Sequence, residues 1–489
     1  MARTRMNPKI SVSVVFVAAM FMNIMDITIV NVALPSIGRQ FRVSEAALDS
    51  VAVGYLVSLA VFIPAAGWMG DRFGSKRVLL FAIAMFTGAS ALCGVAGSLS
   101  ELVFFRVLQG VGGGMLTPVG MAMLFRTFPP EERVRAASIL TLPTAVAPAL
   151  GPVLGGLLVT NLSWRWVFFV NLPIGILAFA FGILFLEEHR QPHPGRFDLP
   201  GFALSGLGFA LLMFGISEGP NRGWHSAQIL GSIAAGAVLL GILVSVELRS
   251  STPLLQLRLF GNRLFRSTSL VLMIAMAAFL GVLFVVPLFF QIALGLSALQ
   301  SGLNTFPEAI GIMVGAQIGS RLLYRRIGPR RLIASGLVGV ALFVALMTLI
   351  GFGTDLWWMR VLMFALGLSM AQVIISSQAA SFATVSHADT GYASSIFNSG
   401  RQLGSAMGVA LLATVLAAVG TTHAVGRHAV ANLTAYHAAF AVAAGVALVG
   451  AAVALTIKDV DAAATRAPSG VRPAGRQDEP VVVELDAAQ

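Results

Sequence analysis

The chain has 489 residues, of which 57% are hydrophobic and only 11% charged, with a net charge of +11. Soluble domains hold about 25% charged residues, so lipid must be the solvent for most of this chain. The positive charges sit in short gaps between apolar runs and form no stripe on one domain, which excludes a nucleic-acid partner. The single cysteine, Cys93, excludes an intrachain disulfide.

A spanning helix needs about 20 mostly apolar residues. Fourteen runs qualify, near 10–33, 47–69, 78–97, 101–125, 136–160, 166–186, 200–217, 227–247, 267–291, 301–322, 332–351, 357–379, 391–418 and 436–457. The first follows Arg3, Arg5 and Lys9 as a signal peptide would. It is too long, however, and continues through Asp26 to Pro35 without a small-residue cleavage site, so it reads as a retained helix. Basic residues gather in alternate gaps: Arg72, Lys76 and Arg77; Arg126, Arg133 and Arg135; Arg190 and Arg196; Arg249 to Arg266; Arg321 to Arg331. The intervening gaps hold Arg39, Arg42, Arg165, Arg222 and Arg427. This asymmetry predicts a multi-pass protein of the inner (plasma) membrane with both termini cytoplasmic. Residues 458–489 mix Ala, Pro, Gly and charges without periodicity and read as a disordered cytoplasmic tail.

An internal repeat organises the chain. The second run ends Gly67-Trp-Met-Gly-Asp71-Arg72-Phe-Gly74-Ser-Lys76-Arg77, and the tenth ends Arg321-Leu-Leu-Tyr-Arg325-Arg326-Ile-Gly328-Pro-Arg330-Arg331. Symmetry of this kind is a mark of two-bundle transporters. It predicts an N-terminal six-helix bundle over 1–187, a linker with two inserted transmembrane helices over 188–262 and a C-terminal six-helix bundle over 263–457. Gly74 and Gly328 suit a tight turn after a helix. Asp71 can pair with a nearby arginine or a helix N-terminus, so Gly67, Asp71, Arg72, Gly74, Lys76 and Arg77 form a candidate conformational latch.

A charge in the bilayer costs about 2.5–3.5 kcal/mol even on the lenient insertion scale and marks a functional site. The deep charges are Asp26, Arg106, Glu308 and Arg401. At about 1.5 Å per residue, Asp26, Arg106 and Glu308 fall in nearly one layer, in the outer half of the membrane. They are the candidates for proton coupling. Burial favours a carboxylate's neutral form and a nearby arginine its charged form. A proton and a cationic substrate can therefore compete for one carboxylate, and binding one expels the other. The alternative for Asp26 and Arg106 is a static ion pair, and for Glu308, after Pro307, a helix-end residue in water.

Polar residues also align at helical spacing: Asn23 with Asp26, Arg106 with Gln109, Asn304 with Glu308, and Asn398 with Arg401, Gln402 and Ser405. Such stripes line a water-filled path or hold helices together. The expectation is a substrate cavity with Asn23, Gln109, Asn304, Asn398 and Arg401, walled by Phe284 and Phe290, with Phe289 and Met115 as further candidates. Gly151-Pro152 predicts a functional bend in the fifth helix. No phosphate loop is present, so energy must come from an ion or substrate gradient. Gly215-Ile-Ser217-Glu-Gly219 matches a nucleophile elbow but has no strand before it, and the histidines lack metal-ligand spacing. No enzyme activity, cofactor or metal is expected.

These features together resemble the major facilitator superfamily in its fourteen-helix drug:proton antiporter branch, a multidrug efflux family. Gly67 to Arg77 is similar to the superfamily's loop signature, and Asp26-Ile-Thr28-Ile-Val-Asn31-Val-Ala-Leu-Pro35 to the branch's own. Arg106-Val-Leu-Gln109-Gly110-Val-Gly112 resembles the proton-coupling motif, and Gly151-Pro152-Val-Leu-Gly155-Gly156 the antiporter motif. Trp164-Arg165-Trp166, Asn171-Leu-Pro173, Asp198-Leu-Pro-Gly201 and Arg401-Gln402-Leu-Gly404 also look like that branch. Ala147 stands where the antiporter motif usually carries glycine. Arg325 stands where the second loop signature often has Asp, implying no matching latch in the C-terminal half. The resemblance implies an all-α polytopic membrane protein with the major facilitator fold: two six-helix bundles plus two inserted helices, 14 transmembrane helices in all. It also implies neighbouring first and fourth helices, and alternating-access export of amphipathic, cationic drugs in exchange for protons. Its partners would be small-molecule substrates, protons and the lipid bilayer, and it would act as a monomer. Export of one endogenous lipid or metabolite is the alternative; a membrane sensor, a uniporter or a symporter are further ones.

Overall fold

The structure is a computed structural model that describes residues 6–43, 45–191, 195–250, 252–425 and 428–466. Apolar runs broken by capping residues become helices. The N-terminal half holds α1 (Pro8–Phe41), α2 (Glu45–Phe73), α3 (Ser75–Val95), α4 (Leu99–Thr127), α5 (Arg133–Asn161), the short α6 (Trp166–Phe169) and α7 (Asn171–Phe185). Then come α8 (Leu199–Arg222) and α9 (Ala227–Arg249). The C-terminal half holds α10 (Arg263–Leu288), α11 (Ala298–Thr305), α12 (Pro307–Ile318), α13 (Tyr324–Leu346), α14 (Leu356–Ser381), α15 (Thr390–Val419) and α16 (Leu433–Ala454). A hairpin of β1 (Thr422–Val425) and β2 (His428–Ala431) joins the last two. Side chains accept from orphan backbone N–H groups at many starts, including Ser98, Asp198, Asn262 and Asp355, and Ser297 with Gln300 closes a capping box.

Twelve segments among the described residues are helical, long and apolar enough to cross a membrane, so this is a multi-pass membrane protein. The sequence reading of fourteen differs at two places. Gln300–Leu349 counts as one apolar segment although Gly328 (φ 79°, ψ 164°) turns the chain inside it, and in α5 the apolar part, Val146–Asn161, is short. The tenth run is also less regular than expected. It breaks at Phe306 between α11 and α12 and ends in a π-helical turn, Gly319–Leu323.

Within the N-terminal half α2 and α3 pack on α4, and α1 on α4, α5 and α7. In the C-terminal half α10 packs on α15 and α16, and α14 on α12 and α13. The halves meet through α2 with α15, α4 with α15, and α5 with α12 and α14. The pair α8–α9 is no detached linker, because α8 packs on both α2 and α15.

The repeat has a structural counterpart. Gly74 (φ 99°) and Gly328 (φ 79°) both occupy the left-handed half of backbone space, which favours glycine. Two residues on, the Lys76 N–H donates to Glu188 Oε1 at 3.0 Å, and the Arg330 N–H to Asp459 Oδ1 at 2.8 Å. Each carboxylate lies just past the last helix of its own half. The same end of the molecule gathers Arg72, Lys76, Arg126, Arg326 and Arg330, and is called the basic end below. Asp459 also corrects the disordered tail, which does not begin at 458. Asp459–Thr465 forms a 3-10 helix with Ala462 and Thr465 buried, and Tyr324 Oη bonds Thr465 Oγ1 at 2.8 Å. Residues 467–489 lie outside the described residues. Asp459→Ala is expected to cost about 1 kcal/mol, the worth of a capping group, read as a lower melting temperature of the purified protein.

Candidate functional site

The structure holds three polar centres, one inside the N-terminal half and two between the halves. The first is an ion pair inside the N-terminal half. Arg106 Nη1 donates to Asp26 Oδ2, and both residues are at most 1% exposed. The other carboxylate oxygen, Oδ1, accepts from Gln109 Nε2 at 2.8 Å and Asn171 Nδ2 at 3.1 Å. Arg106 also donates to Gln109 Oε1 at 2.8 Å and to the Val51 carbonyl at 3.3 Å, and its guanidinium lies 4.2 Å from the Tyr55 ring centroid. Both carboxylate oxygens are thus engaged, as a charge excluded from water requires. Helices α1 and α4 are neighbours, as the resemblance implied.

The second centre is a cavity of about 460 Å³ between the halves, a size suited to a small ligand. Its wall includes Asn23, Thr117, Phe284, Asn398, Arg401 and Gln402, and runs to Ala52, Pro220 and Ala413 at the end opposite the basic one. Tyr55 links it to the ion pair: its hydroxyl donates to Asn23 Oδ1 at 2.7 Å, and Asn23 Nδ2 donates to the Gly113 carbonyl at 3.0 Å. Among the described residues Arg401 Nε has no hydrogen-bond partner.

Several expected lining or coupling positions lie elsewhere. Gln109 is buried against Asp26, because its face of α4 meets α1 and not the cavity. Asn304 accepts from Arg360 Nε at 2.7 Å, at the edge of the C-terminal half. Phe290 is fully buried in the hydrophobic core beside Phe289, and Met115 is core as well. Asp26 stands behind the wall and not in it, since α4 and the Tyr55–Asn23 pair separate it from the cavity. Glu308 is 4% exposed on α12, close to α14, and away from the cavity lining.

The third centre closes the basic end. Asp71 Oδ1 accepts from Arg126 Nη2 at 2.6 Å, both side chains buried, and Arg126 Nε reaches the His387 carbonyl across the interface at 3.2 Å. The other oxygen, Asp71 Oδ2, faces Gly391 in the first turn of α15, whose dipole favours a negative charge. The Gly67 N–H donates to Ser395 Oγ at 3.0 Å, Ser394 Oγ donates to the Pro118 carbonyl at 2.8 Å, and Arg133 Nη1 donates to the Phe382 carbonyl. Phe125 stacks on Phe382 with ring centroids 4.4 Å apart. Burial, together with the guanidinium groups of Arg133 and Arg126, holds the His387 imidazole below the usual histidine range. It therefore stays neutral at pH 7 and adds no repulsion to that cluster.

The remaining latch candidates act locally. Lys76 Nζ caps the end of α7 through the Ile183 and Leu186 carbonyls, at 2.8 and 2.6 Å. Arg77 lies 3.6 Å from Glu188 in an exposed pair. Arg72 is exposed and does not join the Asp71–Arg126 contact, because it points away from the α2–α15 seam. In the fifth helix Gly151 and Gly155 pack against Thr28, Ile29 and Val32 of α1, while Gly156 faces open space. The side chain of Pro152 lies outside the described residues. The sequence reading missed Arg126, Tyr55 and Asn171, whose partners lie on other helices.

Comparisons with known proteins agree with this architecture. The family described as the Major Facilitator Superfamily matches residues 16–409. The chain is 35% identical over 416 residues to the protein named "Putative multidrug resistance protein MdtD" from Escherichia coli O45:K1 (strain S88 / ExPEC), covering 82% of this chain and 85% of that one. The same figures hold for MdtD of Escherichia coli strain K12 / DH10B. Among solved structures, the human organic anion transporter MFSD10 (TETRAN) superposes with a TM-score of 0.65 at 16% identity, covering 92% of this chain and 100% of that one. The proton:xylose symporter XylE gives 0.63 at 16%, covering 91% and 95%. The chain belongs to the Major Facilitator Superfamily and is a membrane transporter of small molecules, not an enzyme.

Proposed function

We propose that this transporter expels amphipathic drugs, cationic ones among them, in exchange for protons, by alternating access across the inner (plasma) membrane. The observation that carries the reading is the cavity: mostly apolar, between two halves, and sealed at the basic end by contacts that cross the interface. The 35% identity to a protein named for multidrug resistance supports drugs as cargo. In this reading the basic end and both termini are cytoplasmic, following the positive-inside rule, and the structure is the outward-facing state. The chain crosses the membrane fourteen times, with bundles over 1–187 and 263–457 and the inserted pair over 188–262, and works as a monomer. Residues Gly67, Asp71 and Arg126 hold the cytoplasmic gate, and Gly151 and Gly155 let α5 slide on α1.

Protons enter through Asp26 with Arg106, and through Glu308. Asp26 sits behind the cavity wall, so proton and drug do not compete for one contact. Protonating Asp26 releases Arg106, and the N-terminal half must repack before drug can bind or leave. Glu308 has no hydrogen bond or ion pair among the described residues, so it can exchange a proton without breaking a contact.

The test is purified protein in proteoliposomes with an imposed proton gradient. Drug flux is expected to run against the gradient and to collapse with an uncoupler; flux indifferent to the uncoupler overturns the antiport reading. Arg126→Gln is expected to lower that flux about tenfold, as loss of a buried charged partner should, with membrane abundance as the control.

A further inference from the structure

Among the described residues, two ionisable side chains line the cavity wall: Arg401 of α15, and Glu218 near the end of α8. Neither Asp26 nor Glu308 lines it. Glu218 is 4% exposed, and its Oε2 accepts from Arg222 Nε at 2.6 Å, one helical turn on. Arg222 is different: its side chain is 46% exposed, and it also reaches Gln228 Oε1 at 3.2 Å and the Phe214 ring at 5.5 Å. A buried carboxylate facing a cavity is therefore held by a counter-ion that solvent can reach.

The mounting of this pair is rigid. Trp224 packs its ring over Gly219, and its Nε1 donates to Thr414 Oγ1 of α15 at 2.7 Å. Ser217 and Pro220 beside Glu218 also line the cavity, at the end opposite the closed gate. The segment that mimics a nucleophile elbow, Gly215 to Gly219, is thus a piece of cavity wall.

We propose that Glu218 is a cation-recognition site at the mouth of the cavity, and that Arg222 is its tethered competitor. A lipophilic cation displaces the guanidinium from Glu218 and buries its own charge there. Return of Arg222 then expels the cation to the outside. Arg401, on the other helix, carries like charge and pushes the cation toward α8. The inserted helix pair thereby acquires a role in selectivity. The inference rests on the exporter reading above and adds which contact selects charge.

Two probes of similar shape separate the possibilities: tetraphenylphosphonium, a cation, and triphenylphosphine oxide, which is neutral. Their energised efflux is measured in proteoliposomes of the full chain. Glu218→Gln is expected to raise KM for the cation about tenfold, the size of one charge contact in partly shielded surroundings, leaving the neutral probe within about twofold. Arg222→Gln is expected to do the reverse, lowering both KM and kcat for the cation, because its competitor is gone. Glu218→Asp should recover part of the cation preference. If Glu218→Gln does not fold, the opposite shift in Arg222→Gln and the partial shift in Glu218→Asp still decide. Equal effects on both probes, or parallel losses in both variants, make the pair a structural clasp and overturn the cation site while leaving the exporter intact. Wild-type protein that moves only the neutral probe also overturns the cation site. Wild-type protein that moves neither probe overturns the site and the exporter reading together.

Discussion

Asp26→Asn is expected to reduce proton-driven efflux to background while the protein still reaches the membrane. The substitution keeps the shape of the side chain and one acceptor for Gln109 or Asn171, but removes the charge that Arg106 pairs with. An unpaired guanidinium in this setting costs about 3–5 kcal/mol, so loss of transport alone would not distinguish a coupling role from a damaged fold. The double substitution Asp26→Asn with Arg106→Gln separates them. It removes both charges, and replacing a buried pair by neutral groups is often close to neutral for stability. Recovery of thermal stability without recovery of coupled efflux assigns Asp26 to proton coupling. Recovery of both makes the pair a static strut and leaves Glu308, tested by Glu308→Gln, as the carrier.

The deep charges were legible in the sequence because a membrane offers them no other solvent. Asp26 and Arg106 had to find each other or something like each other, and the helix register put them at one depth. The repeat was legible for a related reason: a tight turn between two helices needs glycine, and Gly74 and Gly328 both sit at positive φ. What the sequence did not carry was the facing of one helix on another. Gln109 and Asn304 lie on polar stripes, but a stripe does not say whether it meets a cavity or a neighbour's carboxylate, and both met neighbours. Arg126 looked like one more topology-setting charge until α2 placed Asp71 within 2.6 Å of it. Glu218 entered the sequence analysis only inside the nucleophile-elbow match, because nothing in the sequence near the end of that helix shows which way its carboxylate faces. Only the packing of α8 on both α2 and α15 turns that carboxylate inward.

Gly67→Ala should be as damaging as loss of a deep charge, although it changes no charge and favours the helix. Alanine is better than glycine in a helix interior by about 1 kcal/mol, so α2 itself should form as well as before. The obstacle lies on the neighbouring helix. A Cβ at position 67 would stand 2.5 Å from the Gly391 carbonyl oxygen and 2.9 Å from Ser395 Oγ. Backbone atoms of α15 cannot yield as a flexible side chain would, so α2 and α15 must part. The hydrogen bond from the Gly67 N–H to Ser395 Oγ goes with that contact, and the Asp71–Arg126–His387 bridge lies along the same seam. The substituted protein should be unable to close its basic end, and transport should fall at least about tenfold, since a cycle missing one gated state cannot turn over. The readout is chemical labelling in a Cys93→Ser background, which removes the single native cysteine. Ser394→Cys, at a position fully buried here, should resist a membrane-impermeant maleimide in the parent and react from the basic side once Gly67→Ala is added. Gly156→Ala is the matched control, because a Cβ there meets nothing within 4 Å, and it should leave both labelling and transport unchanged. Protection that persists in Gly67→Ala, with transport retained, would mean that the α2–α15 contact does not gate the cavity.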